Sequence, residues 1–285
     1  MKILVTGKNG QLGSELFDLQ AQYPMFEFVF TDRTQLNLED LEQISTQLNE
    51  IKPDVIINAA AYTAVDQAEN NQFLCETINH LAVNEIAKWA NSHQAKVIHI
   101  STDYVFDGTI EEPLLETDIT QPINFYGESK RRGEESLLVE NEESIVIRTS
   151  WVYSQYGNNF VKTMMRLMNE REELSVVSDQ IGAPTYARDL AIAILEILNA
   201  PQFVPGIYHY SNEGKISWYE FATAIKEINN YNTQIHPIAS EDFTTLAKRP
   251  QFSLLDHNKI KNTYKIEIPY WRDSLVEMIG QLTNK

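Results

Sequence analysis

The chain is short of what several large classes of protein depend on. It has one cysteine in 285 residues, Cys75, so no disulfide framework can form within it. Cys75 falls in a helical stretch and reads as a small packing residue. Six histidines are scattered without the spacing of metal ligands, no Ser-His-Asp arrangement is visible, and His99 sits inside an apolar run where an interior histidine is expected. Basic residues are scarce: 23 Lys and Arg against 40 Asp and Glu give a net charge of −17. A nucleic-acid backbone needs a basic surface, so nucleic acid is excluded as a partner. No apolar run approaches the roughly 20 residues of a membrane span, and the opening run Lys2–Thr6 is too short for a signal peptide. The expectation is a cytoplasmic protein with no membrane partner. Internal repeats and low-complexity tracts are also lacking.

What is present begins at once. Lys2-Ile3-Leu4-Val5-Thr6 reads as a strand, Gly7-Lys8-Asn9-Gly10-Gln11-Leu12-Gly13 as a glycine turn, and Ser14–Leu19 as a helix start. Glycines allow a tight turn and close backbone approach, and the helix N-terminus offers free N–H groups to a pyrophosphate. The spacing is Gly-x-x-Gly-x-x-Gly, and the strand and helix that flank it are the context a dinucleotide fingerprint needs. The next strand, Phe26–Thr31, ends at Asp32-Arg33. An acidic residue about 20 positions past the glycines suits a ribose hydroxyl of NAD, whereas Arg33 and Lys8 suit the 2′-phosphate of NADP. A solvated loop pair is the plainer reading of Asp32 and Arg33. The expectation is NADP(H), with NADH left open.

The pattern then repeats. Pro53–Asn58 reads as a buried strand running into the small residues Ala59, Ala60 and Ala61, which let a cofactor lie close to the backbone. Lys96–Ser101 and Ser144–Thr149 are two further strands, separated by helical stretches over 39–51, 73–90 and 126–139. Strands alternating with helices imply an α/β fold with a doubly wound parallel sheet of Rossmann type. Ligands bind such sheets at the carboxyl ends of the strands, where Gly7, Asp32, Ala59, Thr102 and Trp151 fall. Beyond about residue 150 the alternation loosens. Helices are expected over 160–171 and 186–198, strands over 174–177 and 206–210, and a capping box at Ser217–Glu220 opens a further helix. The expected division is a dinucleotide-binding domain over 1–150 and a smaller substrate lobe over 151–285, the chain crossing between them more than once.

Tyr126 and Lys130 share a helix face, one turn apart. A free phenol keeps its proton until about pH 10, and a nearby ammonium favours the phenolate, so the tyrosine becomes a usable acid and base near neutrality. Thr102 could hold a carbonyl oxygen while Tyr126 protonates it. The proposed ligands are anionic in an acidic chain. They therefore need local positive charge, from the first helix N-terminus, Lys8, Arg33, Lys130 and Arg249. The plainer reading of Arg249 is a surface residue before Pro250.

These residues resemble the extended short-chain dehydrogenase/reductase superfamily and, within it, the family of dTDP-4-dehydrorhamnose reductases. The glycine turn and Tyr126–Lys130 carry the wider likeness. The narrower one rests on Asn58–Asp66, Ser101–Phe106, Arg148–Tyr153, Gly157–Phe160 and Asp179–Thr185. The resemblance implies NADPH-dependent reduction of the C4 ketone of dTDP-4-dehydro-L-rhamnose to dTDP-L-rhamnose, a precursor of cell-surface polysaccharide. It implies that Gly10, Gln11 and Leu12 hold the pyrophosphate, with Gly7 and Asn9 also at the cofactor, and that Asn37 and Leu38 lie near the adenine. Ala59, Ala60, Ala61, Tyr62 and Thr63 would line the cofactor's path. Tyr126 would be the acid and Lys130 would lower its pKa and hold the nicotinamide ribose. Thr102, Asp103 and Asn159 would meet the sugar, with Val65 and Trp151 as its apolar walls.

Related dehydratases carry Asp-Glu after the threonine, whereas this chain has Asp103-Tyr104, which argues against dehydration. A related epimerase and a non-catalytic nucleotide-binding regulatory subunit remain the alternatives. Some members of the family dimerise through carboxylates sharing magnesium. Arg188 stands at one of those positions, and a guanidinium has no lone pair to ligate a cation. No metal is therefore expected, and the chain is expected to be a monomer or a weak homodimer.

Overall fold

The computed structural model describes residues 1–283. Six parallel strands form the central sheet: β1 Lys2–Thr6, β2 Glu27–Thr31, β3 Val55–Asn58, β4 Lys96–Thr102, β5 Ser144–Thr149 and β6 Gly206–His209. Their order is β6-β5-β4-β3-β1-β2, so the strand order reverses beside β1. The strands are near-continuous Val, Ile and Leu runs because both faces are covered.

On one face, α1 (Gln11–Leu19) and α6 (Ala187–Asn199) pack against the sheet, burying Leu12, Leu16, Leu190 and Ile194. On the other lie α2 (Leu41–Ile51), α3 (72–93) and α4 (Phe125–Glu140), with Ile44, Leu48, Ile86 and Leu137 in that core. The helix α3 is assembled from Gln72–Glu76, a π turn Thr77–Leu81, and Ala82–His93. The fold is the doubly wound α/β sheet expected from the alternation.

Residues from beyond position 150 contribute to this layer: β6 pairs with β5 and α6 covers the sheet. The rest builds a second core from α5 (Phe160–Glu170), α7 (Trp218–Asn229) and α8 (Trp271–Thr283), around Val161, Phe221, Trp271 and Leu275. The strand Glu173–Val177 pairs in parallel with Gln234–Ile238 beside it. The Ser217–Glu220 capping box forms as expected: the Ser217 hydroxyl accepts from the Glu220 N–H, and the Glu220 carboxylate accepts from the Ser217 N–H.

Candidate active site

A crevice of about 700 Å³ opens at the carboxyl ends of the strands. Its floor is the glycine turn. Gly7 has φ +73°, and a Cβ there would meet the Ala60 backbone at 3.0 Å; a Cβ on Gly13 would meet the Gly7 carbonyl oxygen at 2.2 Å. The glycines are thus required by the turn and by close packing of α1 on it. Gly10 caps α1 with no side chain closing the first turn, so the N–H groups there remain available to an anion. Ala59, Ala60 and Ala61 line the same wall, and Ser101 Oγ, also in the lining, is buried without a hydrogen-bond partner among the described residues. A small-residue wall, a bare helix N-terminus and an unpaired buried hydroxyl fit a dinucleotide diphosphate.

Asp32 and Arg33 both line the crevice. The Asp32 carboxylate accepts from the Thr34 N–H (2.9 Å) and hydroxyl (2.6 Å) and from Asn9 Nδ2 (3.3 Å). The Thr34 bonds first, and Asn9 and Lys8 after them, hold its pKa below the ordinary range. Arg33 is largely exposed and paired with Glu39. Lys8 lies elsewhere: its ammonium sits 5.3 Å over the Phe17 ring and is not part of the lining.

The reactive end is built on β4 and α4. Asn124 caps α4, its side-chain oxygen accepting from the Gly127 N–H at 2.8 Å. A Cβ on Gly127 would lie 2.1 Å from the Tyr104 carbonyl oxygen. That glycine lets α4 press against the turn after Thr102, which brings Tyr126, Lys130, Thr102 and Asp103 into one lining.

Lys130 is 1% exposed. It donates to the Ile100 carbonyl at 2.6 Å and lies 3.1 Å from His99 Nε2. Burial lowers its pKa to about 8, with Glu134 opposing. Asp103 is also buried, and desolvation lifts it to about 6 against the Ser253 and Thr102 hydroxyls. Its carboxylate accepts from the Thr102 hydroxyl at 3.1 Å.

Several expectations need correction. Tyr126 is not pulled down by Lys130. Burial pushes its phenol above the ordinary value, a hydrogen bond with Thr102 opposes this, and Asp103 adds to the rise. The Lys130 hydrogens instead go to Ile100 and His99. Asn159 does not reach the crevice: its oxygen caps α5 by accepting from the Lys162 N–H, and its NH₂ donates to Gln11 Oε1 and the Ser154 carbonyl. Leu38 packs into the core with Leu36, Ile44 and Leu48, and the Asn37 side-chain oxygen accepts from the Glu39 N–H; neither is in the crevice lining. Asn79 holds the backbone of Tyr62 at both its N–H and its carbonyl, between Ala61 and Thr63 of the lining. Arg249 is paired with Asp66 at 2.8 Å and lines a separate cavity of about 960 Å³.

Val65 and Trp151 do line the crevice, joined by Trp218, Leu190 and Asn158. Trp151 and Trp218 stack with centroids 3.7 Å apart. Trp151 has φ +48°, a strained value for a bulky residue. A Cβ on Gly182 would meet its ring at 3.0 Å. Sequence reasoning missed Trp218, although the capping box that delivers it was visible. It also missed Asn79, which the π turn aims at Tyr62 and Ser129. Arg188 pairs with Glu15 at 3.4 Å and lies near Glu277.

The family described as the RmlD substrate binding domain matches residues 1–284. The chain is 41% identical to the Bacillus subtilis spore coat polysaccharide biosynthesis protein SpsK, covering 98% of this chain and 97% of that protein. It is also 41% identical to dTDP-4-dehydrorhamnose reductase of Aggregatibacter actinomycetemcomitans, covering 96% and 97%. The crystal structure of dTDP-4-dehydrorhamnose reductase from Bacillus anthracis in complex with NADP superposes with a TM-score of 0.93 at 39% identity, covering 98% and 99% of the two chains.

Proposed function

The chain belongs to the RmlD substrate binding domain family, and from that premise and the crevice we infer that it reduces the C4 ketone of dTDP-4-dehydro-L-rhamnose with NADPH, yielding dTDP-L-rhamnose for polysaccharide synthesis. The observation that carries the chemistry is the meeting of Tyr126, Lys130 and Thr102 beside the glycine turn in one lining. When bound, NADPH supplies a hydride to the ketone carbon.

Tyr126 gives the proton. Its phenol is protonated at neutral pH, and the burial that raises its pKa makes the proton harder to release, so the transfer depends on stabilising the phenolate that forms. Thr102, hydrogen-bonded to Tyr126, orients the phenol and the ketone oxygen. The Lys130 ammonium offsets the phenolate that remains. Asp103 takes sugar hydroxyls, and Val65, Trp151 and Trp218 form the apolar wall. Gly7, Gly10, Gln11 and Leu12 seat the pyrophosphate, and Asp32 and Arg33 take the adenosine ribose and its 2′-phosphate, with NADH a weaker donor. Arg249 reaches the substrate diphosphate by leaving Asp66.

The division into a cofactor domain over 1–150 and a mainly substrate-binding lobe over 151–285 follows these roles, with β6 and α6 crossing back to the cofactor layer. So do a cytoplasmic location and no nucleic-acid partner, since the ligands are small and the chain is acidic. Among the described residues no helix is long and apolar enough to cross a membrane. Arg188 supports a monomer or weak homodimer that does not use magnesium.

The test is NADPH oxidation with dTDP-4-keto-6-deoxyglucose, with and without the matching 3,5-epimerase. Oxidation only with the epimerase is expected. No oxidation in either mixture would overturn the reading in favour of a regulatory subunit.

A further inference from the structure

We propose that His99 is a positioning residue for Lys130: its imidazole accepts one ammonium hydrogen at Nε2 and, with the Ile100 carbonyl, determines which hydrogen is left facing the crevice. This rests on Lys130 serving the reduction above. Lys130 Nζ lies 3.1 Å from His99 Nε2 and 2.6 Å from the Ile100 oxygen. An ammonium has three hydrogens and no acceptor, so two are held by β4 and the third is left for the crevice, whose lining includes Lys130. Loss of that third hydrogen leaves a neutral amine whose other two bonds are unchanged. The proton that moves is then always the same one, and no buried acceptor is orphaned.

The histidine is itself fixed from behind. Asn58 Nδ2 lies 3.1 Å from His99 Nδ1, the Thr6 hydroxyl donates to Asn58 Oδ1 at 2.7 Å, and the Ala60 N–H donates to the Thr6 hydroxyl at 3.1 Å. The sheet register produces this row, because Thr6 pairs with Asn58 and Asn58 with His99. With Nε2 accepting, the ring hydrogen is placed on Nδ1, which requires the Asn58 carbonyl, rather than the NH₂ now facing the ring, as its acceptor. A half-turn of that amide exchanges its oxygen and nitrogen and turns the NH₂ to Thr6 Oγ1. The row thus runs from the wall of the cofactor crevice at Ala60 to Lys130.

His99 is fully buried, and burial, with the Lys130 charge adding, keeps the ring neutral. The other groups around the pair are Glu134, held by Arg148 of β5, the Cys75 thiol from α3, and Tyr126 at the crevice. Glu134 acts on Lys130 by charge and the Cys75 thiol, pushed up by burial, stays protonated, leaving His99 as the side-chain hydrogen-bond partner of Lys130 among the described residues.

The first test needs no turnover. In the full chain with ¹⁵N-labelled histidine, assigned by the signal lost in His99→Gln, the ring is expected to carry its hydrogen on Nδ1 at pH 6.5. Both ring nitrogens should shift as the pH passes through about 8, and that step should be absent in Lys130→Met. A hydrogen on Nε2 at pH 6.5, or no step near 8, overturns the proposal even if the sugar is not a substrate.

The second test compares two substitutions. Asparagine places its carbonyl where Nδ1 stood and glutamine where Nε2 stood. His99→Asn should move the alkaline limb of the kcat/KM profile down by about one pH unit, about tenfold in rate at that limb. His99→Gln should restore the limb. Equal losses in both variants with an unmoved profile would make His99 a packing residue only.

Discussion

Along β3, Val55, Ile56 and Ile57 are apolar and buried, and Asn58, one residue on, is polar and equally buried. In β4, Val97 and Ile98 give way to His99, Ser101 and Thr102; in β5, Ile145–Ile147 give way to Arg148 and Thr149; in β6, Tyr208 is followed by His209. The body of the sheet and its carboxyl rim are equally dry but opposite in chemistry. Each buried aliphatic side chain of the body contributes about 1.5–3 kcal/mol. The rim opposes folding wherever burial works against charge, as at Lys130 and Asp103. It persists because its groups hold one another, as Arg148 holds Glu134 at 2.7 Å. The contrast teaches that this sheet is stable enough in its body to carry costly groups where chemistry is needed.

Substitutions can sharpen or break that contrast. The largest effect is expected from Tyr126→Phe, which should reduce turnover by about 10²–10⁴ while melting temperature and NADPH affinity stay put. Full activity would remove Tyr126 as the acid. Ile57→Ala, in the body, should cost about 2–5 kcal/mol in urea unfolding with NADPH affinity unchanged under native conditions.

Asp103→Asn should do the reverse and stabilise. Because the folded pKa is raised from 3.8 to about 6, the protonated form is favoured by folding; that stability is present below about pH 4 and is lost as pH rises through about 6, about 3 kcal/mol in all. The variant should therefore melt higher at pH 7, lose that advantage below pH 4, and turn over more slowly. A lower melting point at pH 7 would show that the carboxylate is stabilising. The smallest effect is expected from Trp151→Ala, which should weaken sugar binding up to about tenfold, the scale of an aromatic contact, and leave NADPH binding alone. Equal losses for both ligands would contradict a sugar wall at Trp151.

The body was readable in the chain because its signals are local. A run such as Lys2–Thr6 followed by glycines admits few readings, and the structure forms that strand over the same residues. The strand at 206–210 was visible too, but its place beside β5 depends on long-range pairing that no local period records. The rim was readable in part. Tyr126 and Lys130 announce themselves by helical spacing, whereas the row Thr6, Asn58 and His99 exists only through register between three strands. Asn79 was hidden because a π turn breaks the helical period just where it matters. Leu38 packs in one core with its apolar neighbours Leu36 and Ile44, a local preference that a role carried over by likeness does not contain.

The stacked pair Trp151 and Trp218 has an optical consequence. Two of the four tryptophans in the chain lie face to face at 3.7 Å, close enough for their transitions to couple rather than absorb independently. The wall of the crevice is therefore also a chromophore, one whose near-ultraviolet circular dichroism reports the angle between the two rings. A ligand that shifts either indole writes its arrival into that signal, without a label and without turnover.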